Sequence, residues 1–172
     1  MKHAKKLLAA LLALAMMLAM AVPAFAATGT FGTTKGTITI NKAVAGQEYK
    51  IYRIFDLASF DDDAGAYSYK LNSAWNGFES YSKDGVSANQ FFSIDGGYIK
   101  WVDAKNSTAG AAEFAKLAKA YLAAHTEITP TDSAIATGTT VEFTNKDLGY
   151  YLVDTTLGTL LSLNTSHPDA EI

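Results

Sequence analysis

The chain has 172 residues, no cysteine, and 17 acidic against 14 basic residues, with 49% of its positions hydrophobic. That length is enough for one substantial core. The acidic balance argues against nucleic acid and anionic lipid as partners, and the absence of thiols excludes disulfides, thiol nucleophiles and cysteine-based zinc sites.

Lys2, Lys5 and Lys6 precede an uncharged apolar run from Leu7 to Val22, and Pro23-Ala24-Phe25-Ala26 then places small residues two apart. This is the pattern of a secretory signal peptide, residues 1–26, cut between Ala26 and Ala27. A retained membrane anchor is the alternative, because the run approaches the minimum spanning length. Cleavage leaves one domain, 27–172, and no membrane association is expected of it. Taking the three lysines from 14 leaves 11 bases against 17 acids, so the exported part is the more acidic. Beyond the leader the histidines are His125 and His167, far apart, and neither a metal site nor a cofactor is expected.

Thr37-Ile38-Thr39-Ile40 alternates as a strand with its isoleucines inward, and the same count brings Lys42 into phase with them. Tyr49 to Leu57 is rich in β-branched and aromatic residues but ambiguous in phase, the mark of a strand covered on both faces. Phe60 to Gly65 reads as a turn. Its acidic triplet Asp61-Asp62-Asp63 invites a calcium reading but lacks the spacing of an EF-hand loop, so a solvated loop is favoured. Ala66 to Leu71 returns as a strand. Trp75 to Gln90 has no clean period and reads as a loop with a short helix.

Two apolar runs flank Asp95-Gly96, a hairpin signature. Asn106-Ser107-Thr108 offers a helix cap, and Phe114, Leu117, Ala118, Tyr121 and Leu122 then fall on one helical face opposite Glu113, Lys116 and Lys119. Ile128 to Thr140 is rich in Thr, Ala and Ser and reads as a surface connection. Val141–Thr144, Leu148–Thr155 and Thr159–Leu163 are the last expected strands. The sum is a mainly β chain, an immunoglobulin-like antiparallel β-sandwich with one amphipathic helix. An open sheet covered by the helix is the alternative.

Alternation groups Tyr150, Leu152 and Asp154 on one face of their strand, against Tyr151, Val153 and Thr155. An inward Asp154 is either paired or held protonated, and an inward Lys42 is driven toward its neutral, nucleophilic form. Two outcomes are open. In one, Lys42 passes the strand end into water and Asp154 caps a turn. In the other, the amine attacks a side-chain amide while the acid polarises its carbonyl, closing an intramolecular isopeptide bond.

Tyr150-x-Leu152-x-Asp154-Thr155 resembles the start of the E-box of sortase-assembled pilins and related collagen-adhesin B-type domains, with Asp in place of Glu. Ala45-Gly46-x-x-Tyr49-x-Ile51-Tyr52 is similar to the Ala-Gly-x-x-Phe-x-Leu-Tyr stretch of the same domains. The segments TITINKAVAGQEYKIYRIFDL, GAYSYKL, AAEFAKLAKAY and LGYYLVDTTLGTLLSL, in that order, resemble the N-terminal domain of a Gram-positive fimbrial major subunit. The resemblance implies a secreted, cell-wall-attached pilus shaft domain, whose partners are other pilin subunits and a sortase. It implies an isopeptide bond between Lys42 and Asn164 assisted by Asp154. It also implies a chain that is a fragment of a longer protein, since no LPXTG-type signal follows Ile172 and no Tyr-Pro-Lys motif is present.

The functional expectation is thus a structural subunit with no turnover chemistry. The alternative is an adhesin domain that binds a host protein or glycan through loops such as Asp61–Gly65 or Trp75–Tyr81. A secreted glycosidase is disfavoured, because no pair of acids is presented on recognisable neighbouring strands.

Overall fold

A computed structural model of the chain describes residues 33–61, 66–154, 159–163 and 169–172. The signal segment with Ala26 and Ala27, the tip of the acidic turn at 62–65, and Asn164 lie outside the described residues. The elements in chain order are β1 (Gly36–Asn41), β2 (Glu48–Asp61), β3 (Ala66–Leu71), β4 (Ser82–Lys83), β5 (Val86–Ser87), β6 (Phe92–Asp95), β7 (Tyr98–Trp101), α1 (Thr108–Ala124), β8 (Asp132–Ile135), β9 (Thr140–Lys146), β10 (Gly149–Asp154), β11 (Thr159–Leu163) and β12 (Asp169–Glu171).

These form a β-sandwich with one helix. The larger sheet runs β11-β10-β2-β3, and the smaller runs β12-β1-β9. β8 and β3 share one edge of β2, β8 along Glu48–Ile51 and β3 along Phe55–Asp61. Among these pairings only β1–β12 is parallel.

β1 obeys its alternation, with Ile38 and Ile40 buried. β2 does not, and the register gives the reason. Tyr150 pairs with Phe55 while Tyr151 pairs with Arg53, so Ile54 is an extra residue bulged out of the ladder. The bulge resets the two-residue period, and both Ile54 and Phe55 enter one core. A second irregularity between Leu57 and Ser59 repeats the shift.

The larger sheet is covered on both faces. Between the sheets lie Ile38, Ile40, Ile51, Val141, Phe143, Tyr151 and Val153. On the other face Tyr52, Ile54, Phe55 and Leu152 meet α1 and residues 75–101. Full burial of each large apolar side chain contributes about 1.5–3 kcal/mol. Ser107 caps α1 by accepting from the Gly110 amide at 3.1 Å, and the stripe Phe114, Leu117, Ala118 and Tyr121 is buried. Gly110 is required there, since a Cβ would stand 2.0 Å from the Lys105 carbonyl oxygen. The β6–β7 hairpin turns through Gly96 and Gly97, both at positive φ.

Two sequence expectations change. The stretch Trp75 to Gln90, expected as a loop with a short helix, belongs to a segment from Ser73 that holds three short 3₁₀ turns and the β4–β5 hairpin, with Trp75, Phe78 and Ala88 fully buried. No period shows because each turn inserts its apolar side chain separately. The stretch from Ile128 to Thr140 contains β8, with Ile128 and Ala136 buried at either side of it.

Candidate functional site

Asp154 ends β10. Its strand neighbours on the same face, Tyr150 and Leu152, pack toward α1, so its carboxylate emerges where the helix meets the sheet rim. There it pairs with Lys119 Nζ at 3.0 Å, with its side chain 40% exposed. The lysine assigned to the outer helical face thus reaches back to the sheet.

Lys42 is not on a strand face. β1 stops at Asn41, and Lys42 takes φ +58° with its side chain exposed. A left-handed residue breaks the two-residue alternation, so the phase that placed Lys42 behind Ile38 and Ile40 ends before reaching it. This corrects the expectation of an inward amine. Lys42 and Asp154 nevertheless border one open depression of about 550 Å³, with Ile40, Asn41, Val44, Gln47, Glu48, Tyr49 and Ile172.

The chemistry of that depression follows from its solvent access. Amide condensation calls for a neutral amine and an undissociated acid, states that burial favours. Here the amine stands in water and the acid faces an ammonium group. The described amides of the depression are Asn41 and Gln47, and Asn41 Nδ2 donates to Glu171 Oε2 at 3.4 Å. Glu48, the other carboxylate of the rim, pairs with Lys50 Nζ at 2.9 Å, and its hydrogen bond raises the lysine pKa. Burial raises the pKa of the Tyr52 hydroxyl, and the charge of Asp154 adds to the effect.

A second polar cluster surrounds Arg53, which sequence reading passed over. On the apolar strand β2 a guanidinium is itself the available signal, since a half-buried charge must be paired. Arg53 Nη1 lies 2.8 Å from Asp147 Oδ2, in the turn between β9 and β10. Its buried Nε lies 2.8 Å from Asp56 Oδ1 without hydrogen-bond alignment, so that contact is Coulombic. Lys35 pairs with the other Asp147 oxygen, and Asn72 Nδ2 donates to Asp56 at 2.9 Å. The Lys35 hydrogen bond holds the Asp147 carboxyl below the usual carboxylate range; desolvation opposes it, and Arg53 reinforces it. Tyr151, fully buried beside this cluster, donates its hydroxyl to the Asp147 carbonyl at 2.6 Å. The bond satisfies a buried phenol and resembles the tyrosine corner of immunoglobulin-like sandwiches. The cluster ties the approach to β1, the β9–β10 turn and the start of the 73–105 segment to β2.

Among the described residues no group of three or more His, Asp or Glu side chains could hold a metal ion, and no helix is long and apolar enough to cross a membrane. No protein-family model matches the chain, and no curated protein matches it significantly.

Proposed function

We propose that this chain supplies the leading structural domain of an exported, sortase-assembled surface fibre, acting by bearing load and displaying what is joined to it. The observation that carries the reading is the placement of the E-box-like strand. Tyr151, Leu152 and Val153 are 0% exposed between β2 and β11, so the segment resembling a pilin motif is the central beam of the sandwich. The described depression at its end is open, and its two carboxylates are each paired with lysine, an arrangement suited to a surface and not to an enclosed reaction.

The adhesin alternative receives less support. Two of its aromatic residues, Trp75 and Phe78, lie in the core at 1% and 0% exposure and offer no ring to a ligand.

The test is covalent assembly. In cell-wall extracts of the producing bacterium, antibody against this domain should reveal a ladder of high-mass species that survives boiling in detergent. Removal of the cognate sortase should collapse the ladder. A single monomer-sized band in sortase-competent cells would overturn the reading.

A further inference from the structure

β12 lies beside β1 and runs in the same direction, with Thr37 opposite Asp169, Ile38 opposite Ala170 and Thr39 opposite Glu171. Hydrogen bonds tie the two along their length. The Thr37 amide donates to Asp169 Oδ1 at 2.9 Å, the Ile172 amide to the Thr39 carbonyl at 2.9 Å, and the Asn41 amide to the Ile172 carbonyl at 2.5 Å. β1 is held on its other edge by β9, from Gly36–Lys146 to Asn41–Thr140. Its isoleucines are buried at 0% and 4%, and Ala170 and Ile172 pack against the same core.

Direction decides how such a ladder responds to force. In a parallel pair, tension that enters at the start of one strand and leaves at the end of the other slides the two past each other. All the hydrogen bonds then share the load and must fail together. In an antiparallel pair gripped at one shared end, the bonds open one after another. β1 stands in both relations, parallel to β12 and antiparallel to β9.

We propose that the β1–β12 ladder is a mechanical clamp, loaded in shear when tension crosses the domain from the start of β1 to the end of β12. The clamp invoked is the hydrogen-bonded ladder itself: the inward β1 positions are Ile38 and Ile40, Lys35 pairs with Asp147, and Lys42 has turned outward. The inference stands on strand topology and goes beyond the fibre reading. A weak clamp would leave the sortase-dependent ladder untouched, and loss of that ladder would leave the clamp untouched.

The chain has no cysteine, so engineered thiols give unique attachment points for single-molecule pulling. Handles at Thr33→Cys and Glu171→Cys load β1 against β12 in shear. Handles at Thr33→Cys and Thr144→Cys grip β1 and β9 near their shared end, where Gly36 faces Lys146. The shear geometry should require about twice the unfolding force of the second geometry at equal loading rate. Equal forces, or a weaker shear geometry, would overturn the clamp. Ile172→Pro removes the amide that bonds Thr39, and should lower the shear force while sparing the unzipping force. Ser107→Ala, which weakens the helix cap far from the ladder, should lower thermal stability and leave the shear force unchanged; circular dichroism confirms that each variant is folded. A shear force that ignores Ile172→Pro, or that falls equally with Ser107→Ala, also defeats the proposal.

Discussion

The two faces of the β2–β10 pair carry different cores. Between the sheets the filling is mostly branched aliphatic, supplied by strands that alternate regularly, as in Ile38, Ile40, Val141 and Val153. On the helix side it is dominated by rings, with Phe55 against Phe92, Trp101, Phe114 and Tyr150, and Phe78 against Trp75, Phe114 and Tyr121. Two sheets interdigitate with small side chains because their pleats match. A helix and a set of short turns cannot approach a sheet so evenly, and large rings in edge-to-face contact fill the uneven space, each pair adding about 0.5–1.5 kcal/mol beyond its area.

The largest test of that contrast is Phe55→Ala. Phe55 is the hub of the ring cluster, and its truncation should cost about 3–5 kcal/mol by chemical denaturation and abolish the near-ultraviolet dichroism of the packed rings. Ile38→Ala should cost about 2–5 kcal/mol, through the inter-sheet core alone. If the two cores are distinct, the folded Ile38→Ala protein keeps the ring signal; its loss would show that they melt as one.

Ser107→Ala removes the side-chain cap of α1 and should cost about 1 kcal/mol, with hydrogen exchange rising first in the helix.

Acid should weaken the polar ties in a defined direction. The Lys146 hydrogen bond lowers the carboxyl pKa of Asp132, against a smaller desolvation effect, and Lys35 lowers that of Asp147. A depressed carboxylate contributes stability above its unfolded pKa, near 3.8, and loses it as pH falls through the lower folded value. Both groups are substantially exposed, so the loss is modest. Stability should therefore be flat from neutrality to about pH 5 and decline below about pH 4, less steeply in Asp132→Asn.

The smallest effect is expected at Asp154. Asp154→Ala should cost under about 1 kcal/mol, because it breaks one rim ion pair with Lys119. The intact mass of the unsubstituted domain should equal the mass calculated for the linear chain, residues plus the terminal water. A deficit of about 17 Da, the ammonia lost when lysine condenses with asparagine, would show a covalent bond and overturn the open-rim description.

Residue patterns made much of the fold legible. The Thr-Ile alternation, the Asp95-Gly96-Gly97 turn, the Ser107 cap and the stripe from Phe114 to Tyr121 each describe contacts within one element, so local spacing suffices to find them. β8 and β12 escaped notice because each is only a few residues long and leans on a partner strand far away in sequence. The site was less legible than the fold. Extrapolating the β1 alternation to Lys42 failed because one left-handed residue resets the direction of a side chain. Arg53 was passed over because the carboxylate that its Nη1 meets, Asp147, comes from a turn distant in sequence.

By itself, then, the sequence determined a mainly β chain with one amphipathic helix and an apolar strand that carries Asp154, since periodicity and capping act over a few residues. Tertiary structure alone decided that Ile54 bulges and makes β2 two-sided, that Asp154 answers Lys119, and that β1 is flanked by a parallel β12. These depend on register, and register is set by which faces of distant segments can be buried together.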